Sequence, residues 1–282
     1  MRGATIKELL KNRLNAEDLG GISLSYDVIG DIAVVKFSDK WLEKETIIAN
    51  TILENNRHIK TVLRQASPVE GAYRTRKLEW IAGEQRTETV HREYNCTFKV
   101  DLSKVYFSPR LSFERLRVAR LVKPKEVVIN MFAGVGCFSI FIGKYSEATR
   151  VYSIDINPEA VRLMEENIRL NGLDDRIFAI RGDARDIVGK GLKGVADRVL
   201  MPLPEKAFDY LEDALHALKP KGGWIHYYDF AHSRKYENPV AKISNKVSSK
   251  LRKLGTNITE NGKIVRSVGP NWYQVVLDLM VS

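Results

Sequence analysis

The stretch from Glu126 to Pro158 constrains this chain more than any other. It reads EVVINMFAGVGCFSIFIGKYSEATRVYSIDINP. A short apolar run, Val127-Val128-Ile129, stops at a glycine loop, Phe132-Ala133-Gly134-Val135-Gly136. An apolar helical segment, Phe138 to Ile142, follows, and a second apolar run, Val151 to Ile154, delivers an acid, Asp155. Strand, glycine turn, helix, strand and acid are the parts of a βαβ unit that holds an adenosine-type ligand. Glycines let the backbone approach such a ligand closely, and a carboxylate at the end of the second strand accepts hydrogen bonds from ribose hydroxyls. The loop lacks the third glycine of the dinucleotide fingerprint, which argues against a pyrophosphate on the helix N-terminus.

Downstream, strands and helices alternate. Asn157 caps a helix opened by Pro158 and stopped by Gly172. Strands are expected at Ile177–Ile180, Ala196–Met201 and Gly223–Tyr228, with helices at Phe208–Leu218 and Val240–Leu254. Lys263–Val268 and Trp272–Val281 form a closing antiparallel pair around Gly269-Pro270-Asn271. A Rossmann dehydrogenase would continue with βα units, whereas a mostly parallel sheet that ends in an antiparallel hairpin is the pattern of class I methyltransferases, which use S-adenosylmethionine. Upstream the pattern differs. A helix over Met1–Leu14, two strands within Ser23–Phe37, a helix over Trp41–Asn55 and four further short strands make a smaller α+β domain. The expected division is 1–104 for the small domain and 105–282 for the α/β domain, with a helix at Phe113–Val122 in between.

The 282 residues suffice for one large and one small domain. No apolar run reaches the roughly 18 residues that cross a bilayer, and the charged N-terminus does not read as a signal peptide. With two cysteines, Cys96 and Cys137, neither a disulfide framework nor a zinc cluster is available. A cytoplasmic monomer without metal is expected. The formal charge of +10 is unevenly spread: six Lys/Arg against one acid over 57–77, seven against one over 104–125, and nine against two over 231–270. Clusters like these suit a polyanion, because each phosphate contact releases counterions.

Several residues carry chemistry. Asp155 and Asp183 end successive strands; either alone could be an ordinary N-cap, but with the glycine loop they frame an adenosine site. After the fourth strand comes Met201-Pro202-Leu203-Pro204. Amino-methylating enzymes often present Asn or Asp there to accept from the target nitrogen, and Pro202 has neither a side-chain acceptor nor an N–H. Glu114, the single acid of its basic stretch, is either ion-paired with Arg110, Arg115 or Arg117, or a general base. Guanine N1 keeps its proton at neutral pH, so its methylation needs a base in reach, and a cation for the charge that develops on O6.

VYFSPR (Val105–Arg110), Glu114-Arg115, NMFAGVGCFSI, IDINPEA, DRVLMPLP and IHYYDF, in this order, resemble the archaeal and eukaryotic tRNA guanosine-37 N1-methyltransferases. GAYRTRKLE around Arg74 and HREYNCTFKVDLSKVYFSPR extend the likeness over essentially the whole chain. The resemblance implies Glu114 as general base and Arg74 as the cation at the purine O6; Arg115 and Pro202 are expected beside them in the catalytic group. It implies cofactor contacts from Tyr106, Phe107, Phe132, Ala133, Gly134, Asp155, Ile156, Asn157 and Asp183, with Arg110 facing the methionine part. The target purine of the anticodon loop would be flipped out of its stack. Two features depart from the family pattern. Members usually carry a further N-terminal domain that reads the tRNA elbow, whereas this chain starts near the second domain, so the basic segments 57–77 and 231–270 are expected to select tRNA-Phe. Pro202 replaces the asparagine of the N1-methyltransferases, as in the archaeal subgroup that methylates C7 of 4-demethylwyosine to give isowyosine, some of whose members also methylate N1 of guanosine. Two other readings are an aminocarboxypropyl transferase of the same pathway and a cofactor-binding RNA chaperone without catalysis.

Overall fold

The computed structural model describes residues 6–11, 13–15, 26–37 and 39–282. The chain forms two compact units, Met1–Leu111 and Ser112–Ser282.

In the first unit, α1 (Ile6–Leu9) is one turn long. It is shorter than the helix expected over Met1–Leu14, of which residues 1–5 and 12 lie outside the described set. Strands β1 (Tyr26–Ile29) and β2 (Ile32–Val35) flank Gly30, whose φ of 56° lies in the left-handed region. A Cβ there would fall 2.2 Å from Thr89 Oγ1, so only glycine makes this turn. Ser23–Ser25, expected in the first of these strands, are not described. A 3₁₀ turn (Asp39–Lys44) leads into α2 (Glu45–Asn55). Strands β3 (Thr61–Gln65) and β4 (Leu78–Gly83) complete a sheet ordered β1-β2-β3-β4, and β5 (Glu88–Glu93) pairs with β6 (Cys96–Asp101) as a separate hairpin. Leu10, Trp41, Ile48 and Ile52 pack on Val35, Val62 and Ile81 to form this unit's core.

The second unit opens with α3 (Ser112–Leu121), followed by β7 (Val127–Asn130), α4 (Cys137–Tyr145), β8 (Arg150–Asp155) and α5 (Pro158–Leu170). The Asn157 side chain accepts from Glu159 N at 3.0 Å, Pro158 sits in the first turn, and Gly172 at φ 65° ends the helix. Next come β9 (Ile177–Arg181), α6 (Ala184–Ile187), β10 (Arg198–Met201), α7 (Pro204–Ala207) and α8 (Leu211–Ala217). The helix expected over Phe208–Leu218 is the shorter α8, Leu211–Ala217, and a separate turn of helix, opened by Pro204, precedes it. β11 (Gly223–His232), α9 (Pro239–Lys253), β12 (Ile258–Gly269) and β13 (Trp272–Val281) close the unit.

The seven strands are ordered β12-β13-β11-β10-β7-β8-β9. β11, β10, β7, β8 and β9 are parallel; β13 runs antiparallel between β11 and β12. This is the mostly parallel sheet with an antiparallel C-terminal pair that the sequence pattern predicts. β11 outruns the expected Tyr228 because β13 pairs with its whole length, from Gly223↔Val281 to His232↔Trp272. In parallel strands covered on both faces apolar side chains are continuous: Val199, Leu200 and Met201 are fully buried. No helix among the described residues is long and apolar enough to cross a membrane.

Candidate active site

The C-terminal ends of β7, β8 and β9 build one half of the site. Gly134 adopts φ 56° and Gly136 φ 89°, which turns the chain sharply from β7 into α4. Asp155, the last residue of β8, fixes this turn: its Oδ2 accepts from Gly134 N at 2.7 Å and its Oδ1 from Asn157 N at 2.9 Å. Ala133 N donates to Ile154 O, locking the loop to β8. Burial pushes the Asp155 carboxyl up, against these backbone hydrogen bonds. With Ile156 N as a third backbone donor, three of the carboxylate's four lone pairs are engaged, which leaves one for a ligand hydroxyl. A Cβ on Gly134 would meet nothing within 4 Å; that side of the loop is open.

Asp183 follows β9 and caps α6, accepting from Arg185 N at 2.8 Å through Oδ1. Its Oδ2 accepts from Tyr210 OH at 2.7 Å, and the Tyr210 ring meets Phe132 edge-on at 5.2 Å. Burial and the neighbouring carboxylate push the Tyr210 phenol up to about 12, so it stays a donor at neutral pH. Ile156 stands 48% exposed beside Asp155, an apolar side chain left uncovered. Asp155, Asp183, Phe132, Ile156 and an open glycine loop fit an adenosine moiety without phosphates.

Glu114 belongs to a different arrangement. On α3 it is fully buried, and four donors reach its two oxygens. Arg117 donates Nη2 to Oε1 at 2.7 Å and Nε to Oε2 at 2.9 Å. Tyr228 OH donates to Oε1 at 2.8 Å, and Lys263 Nζ lies 3.2 Å from Oε2. Of the two open readings of Glu114, the ion pair is present, with Arg117 as its partner, whereas Arg110 pairs with Asp27 in the first unit. Of the four donors, Lys263 is the most distant, and its side chain is 40% exposed. A base must free a lone pair to take a proton, and Lys263 is the partner that can leave.

Behind Arg117 the polar chain continues. Its Nη1 donates to Asp278 Oδ2 at 2.6 Å; Asp278 Oδ1 meets His226 Nδ1 at 2.6 Å; His226 Nε2 meets Arg198 Nη1 at 2.7 Å; and Arg198 Nε donates to Glu126 at 2.7 Å. Burial pushes the Asp278 carboxyl up, but the hydrogen bonds from His226 and Arg117 outweigh it and hold the group well below the usual carboxylate range. His226 is pushed down by burial, against the pull of Asp278. Six charged or titratable side chains thus satisfy one another across the sheet, the condition under which buried charge is tolerated.

The remaining expected residues fall in several places. Pro202 is half-buried directly after Met201 at the end of β10, the same sheet end as Asp155 and Asp183. Arg115 is buried on α3 beside Glu114. In the first unit, the Arg74 guanidinium lies 5.3 Å from the Tyr106 ring centroid, at a left-handed φ of 55°. Phe107 is buried there between His91 and Phe98. Tyr210, Tyr228, Lys263, His226 and Asp278 were not singled out for roles from the sequence. The one local signal was IHYYDF, which sets polar groups at alternate positions of a buried strand.

A family model described as TRM5/TYW2 methyltransferase domain matches residues 89–254, and a TYW2 N-terminal domain model matches residues 6–87. The tRNA (guanine(37)-N(1))-methyltransferase Trm5b of Pyrococcus abyssi is 40% identical over 259 residues, covering 92% of this chain and 75% of that one. The tRNA 4-demethylwyosine(37)-methyltransferase Taw21 of Saccharolobus solfataricus is 38% identical, covering 98% of this chain and 100% of that one. The solved complex of aTrm5 and tRNALeu superposes with a TM-score of 0.84 at 35% identity, covering 100% of this chain and 79% of that one.

Proposed function

The chain belongs to the TRM5/TYW2 methyltransferase family, and from that premise we propose that it methylates C7 of 4-demethylwyosine at position 37 of tRNA-Phe, and N1 of guanosine-37 as a second or alternative target. That it is an S-adenosylmethionine-dependent tRNA methyltransferase acting at position 37 is the part that its Trm5b and Taw21 relatives hold in common. The finer choice rests on Pro202. At the end of β10, where an asparagine would accept from a target N–H, this chain presents no acceptor. A carbon nucleophile needs none.

Phe132, Asp155, Ile156 and Asp183 would hold the adenosine part of S-adenosylmethionine, which supplies a methyl group on a sulfonium. We assign Tyr106, Phe107, Ala133, Gly134, Asn157 and Arg110 to the same ligand. Glu114 is assigned as the base. For guanosine it takes the N1 proton; for the wyosine carbon it takes the C7 proton released once the new C–C bond has formed. In both cases Lys263 first gives up its place on Oε2. Arg117, fixed from behind by Asp278, keeps the carboxylate aimed, and positioning is the main source of rate in a displacement of this kind. Arg74 is assigned to the purine oxygen and Arg115 to support beside Glu114. The first unit is assigned to positioning RNA, and the protein to the cytoplasm as a monomer.

Methyl transfer to unmodified tRNA-Phe and to tRNA-Phe carrying 4-demethylwyosine tests the choice. The modified RNA is expected to be the better acceptor, and Pro202→Asn is expected to raise transfer to the unmodified one several-fold. Transfer to unmodified RNA alone would sink the wyosine reading. Methylthioadenosine as co-product, in place of S-adenosylhomocysteine, would assign aminocarboxypropyl transfer instead.

A further inference from the structure

The sheet face that meets Glu114 does not stop at Tyr228. Alternate residues of a strand share a face, so Tyr228, Phe230 and His232 of β11 line up with their partners Val276, Gln274 and Trp272 of β13. The third pair is in ring contact: His232 and Trp272 meet edge-on at 5.3 Å. Four residues of strand place this pair about 13 Å beyond Tyr228. β12 adds cations along the same face. Lys263, opposite Val276, reaches Glu114, and Arg266, opposite Gln274, donates to its side-chain oxygen at 2.8 Å.

The far end of this line is fastened in place. Ser233 N donates to Asn271 O at 2.9 Å, tying the loop after β11 to the hairpin turn, and Lys242 Nζ donates to His232 O at 3.0 Å. Despite this order, its large aromatics are uncovered: Trp272 is 46% exposed and Tyr236 92% exposed, with Lys235 Nζ 5.7 Å from the Tyr236 ring. Trp272, fixed edge-on against His232 and left partly bare, offers a flat face on which a partner's ring can stack. Of the nine Lys/Arg in the surrounding segment 231–270, Lys242, Lys246, Lys250 and Lys263 are engaged by backbone carbonyls or carboxylates within the protein, and the other five, against two acids, favour a polyanion with flat, apolar groups. Single-stranded nucleic acid is that partner, because every base presents a π-face whatever its sequence.

We propose that this strip is a track for the unpaired nucleotides next to the target base. Trp272 stacks against one neighbouring base, Tyr236 lies further along the same path, and Arg266 and Lys235 meet phosphates. The proposal rests on the tRNA reading given above and adds to it the part of the RNA that is held.

Equilibrium binding of a tRNA-Phe transcript tests it, with Trp272→Ala, Trp272→Phe and Trp272→Leu compared with wild type. Phe and Leu keep bulk at the turn, so the comparison survives if the alanine variant does not fold. Stacking predicts about a tenfold weaker Kd for Leu and Ala and less than about a threefold change for Phe. It also predicts quenching of wild-type tryptophan fluorescence by RNA that is smaller in Trp272→Phe. The slope of log Kd against log salt should be unchanged in the leucine variant and shallower by about one in Arg266→Ala. Leucine binding within twofold of wild type, or no loss in any Trp272 variant, overturns the track while leaving the methyltransferase intact. A wild-type protein that binds neither the transcript nor tRNA-Phe carrying 4-demethylwyosine overturns the function itself.

Discussion

Two side chains carry the sharpest expectations. Glu114→Gln keeps the shape of the buried group and, through its one oxygen, the bonds from Tyr228 OH and Arg117 Nη2, but it turns an NH2 toward Arg117 Nε and Lys263 and removes the proton acceptor. Loss of a general base is worth about 10²- to 10⁴-fold, so single-turnover methyl transfer should fall by that factor while S-adenosylhomocysteine still binds. A variant within threefold of wild type would make Glu114 a structural ion pair and nothing more. At the other end, Tyr210→Phe removes the hydrogen bond that orients Asp183. A neutral bond to a carboxylate contributes on the order of 1 kcal/mol, which predicts a roughly fivefold rise in cofactor Kd by calorimetry; an unchanged Kd would detach Asp183 from the adenosine site. These two cases also divide what could be read in advance. Asp155 and Asp183 were legible because each closes a β-strand a few residues after a recognisable apolar run. The setting of Glu114 was not, because Tyr228 is 114 residues away and Asp278 lies 161 residues from Arg117. Only the sheet order brings them together, and no local pattern encodes which strand lies beside which.

Among the elements, boundaries follow from caps and pairing. α5 begins where Asn157 and Pro158 place it. Asn157→Ala removes the N-cap acceptor beside Asp155 and should cost about 1 kcal/mol, read as a lower denaturation midpoint at constant m-value. A loss of cofactor affinity larger than that of stability would show that the cap also holds the Asp155 loop. Where long-range pairing sets the boundary, the sequence pattern falls short. β11 runs on to His232 and β12 starts at Ile258 rather than Lys263, because β13 supplies a partner along the entire length of each. Isolated apolar periodicity sees neither extension, since Glu260, Asn261 and His232 interrupt it.

At the level of the whole protein, the buried polar chain links stability to pH. His226 and Asp278 are both held below their ordinary values, so the folded state binds fewer protons than the unfolded one. Their contribution is complete above the unfolded pKa values and is lost on acidification, from about pH 6.5 downward for His226 and from about pH 3.9 downward for Asp278. The melting temperature should therefore decline between pH 7.5 and 5.5. His226→Gln, which can still donate to Asp278 but cannot titrate, should flatten that decline while lowering the melting temperature overall. A wild-type curve already flat in this window would remove His226 from the account. Net charge and its clustering were visible from composition alone, and they fit the tRNA partner. Which cations face RNA and which, like Arg117 and Arg198, are spent on internal carboxylates depends on the fold.

The place of β13 has a consequence for the order in which the protein becomes competent. It is the last strand of the sheet to be synthesised, yet it lies between β12 and β11, and it brings Asp278 to Arg117. During translation Arg117 leaves the ribosome 161 residues before its partner, an interval of roughly 8–30 s at ordinary elongation rates. The strands that frame the adenosine site are all in hand well before that. On the roles proposed above, the carboxylate of Glu114 is therefore anchored from behind only once the final strand has joined the sheet.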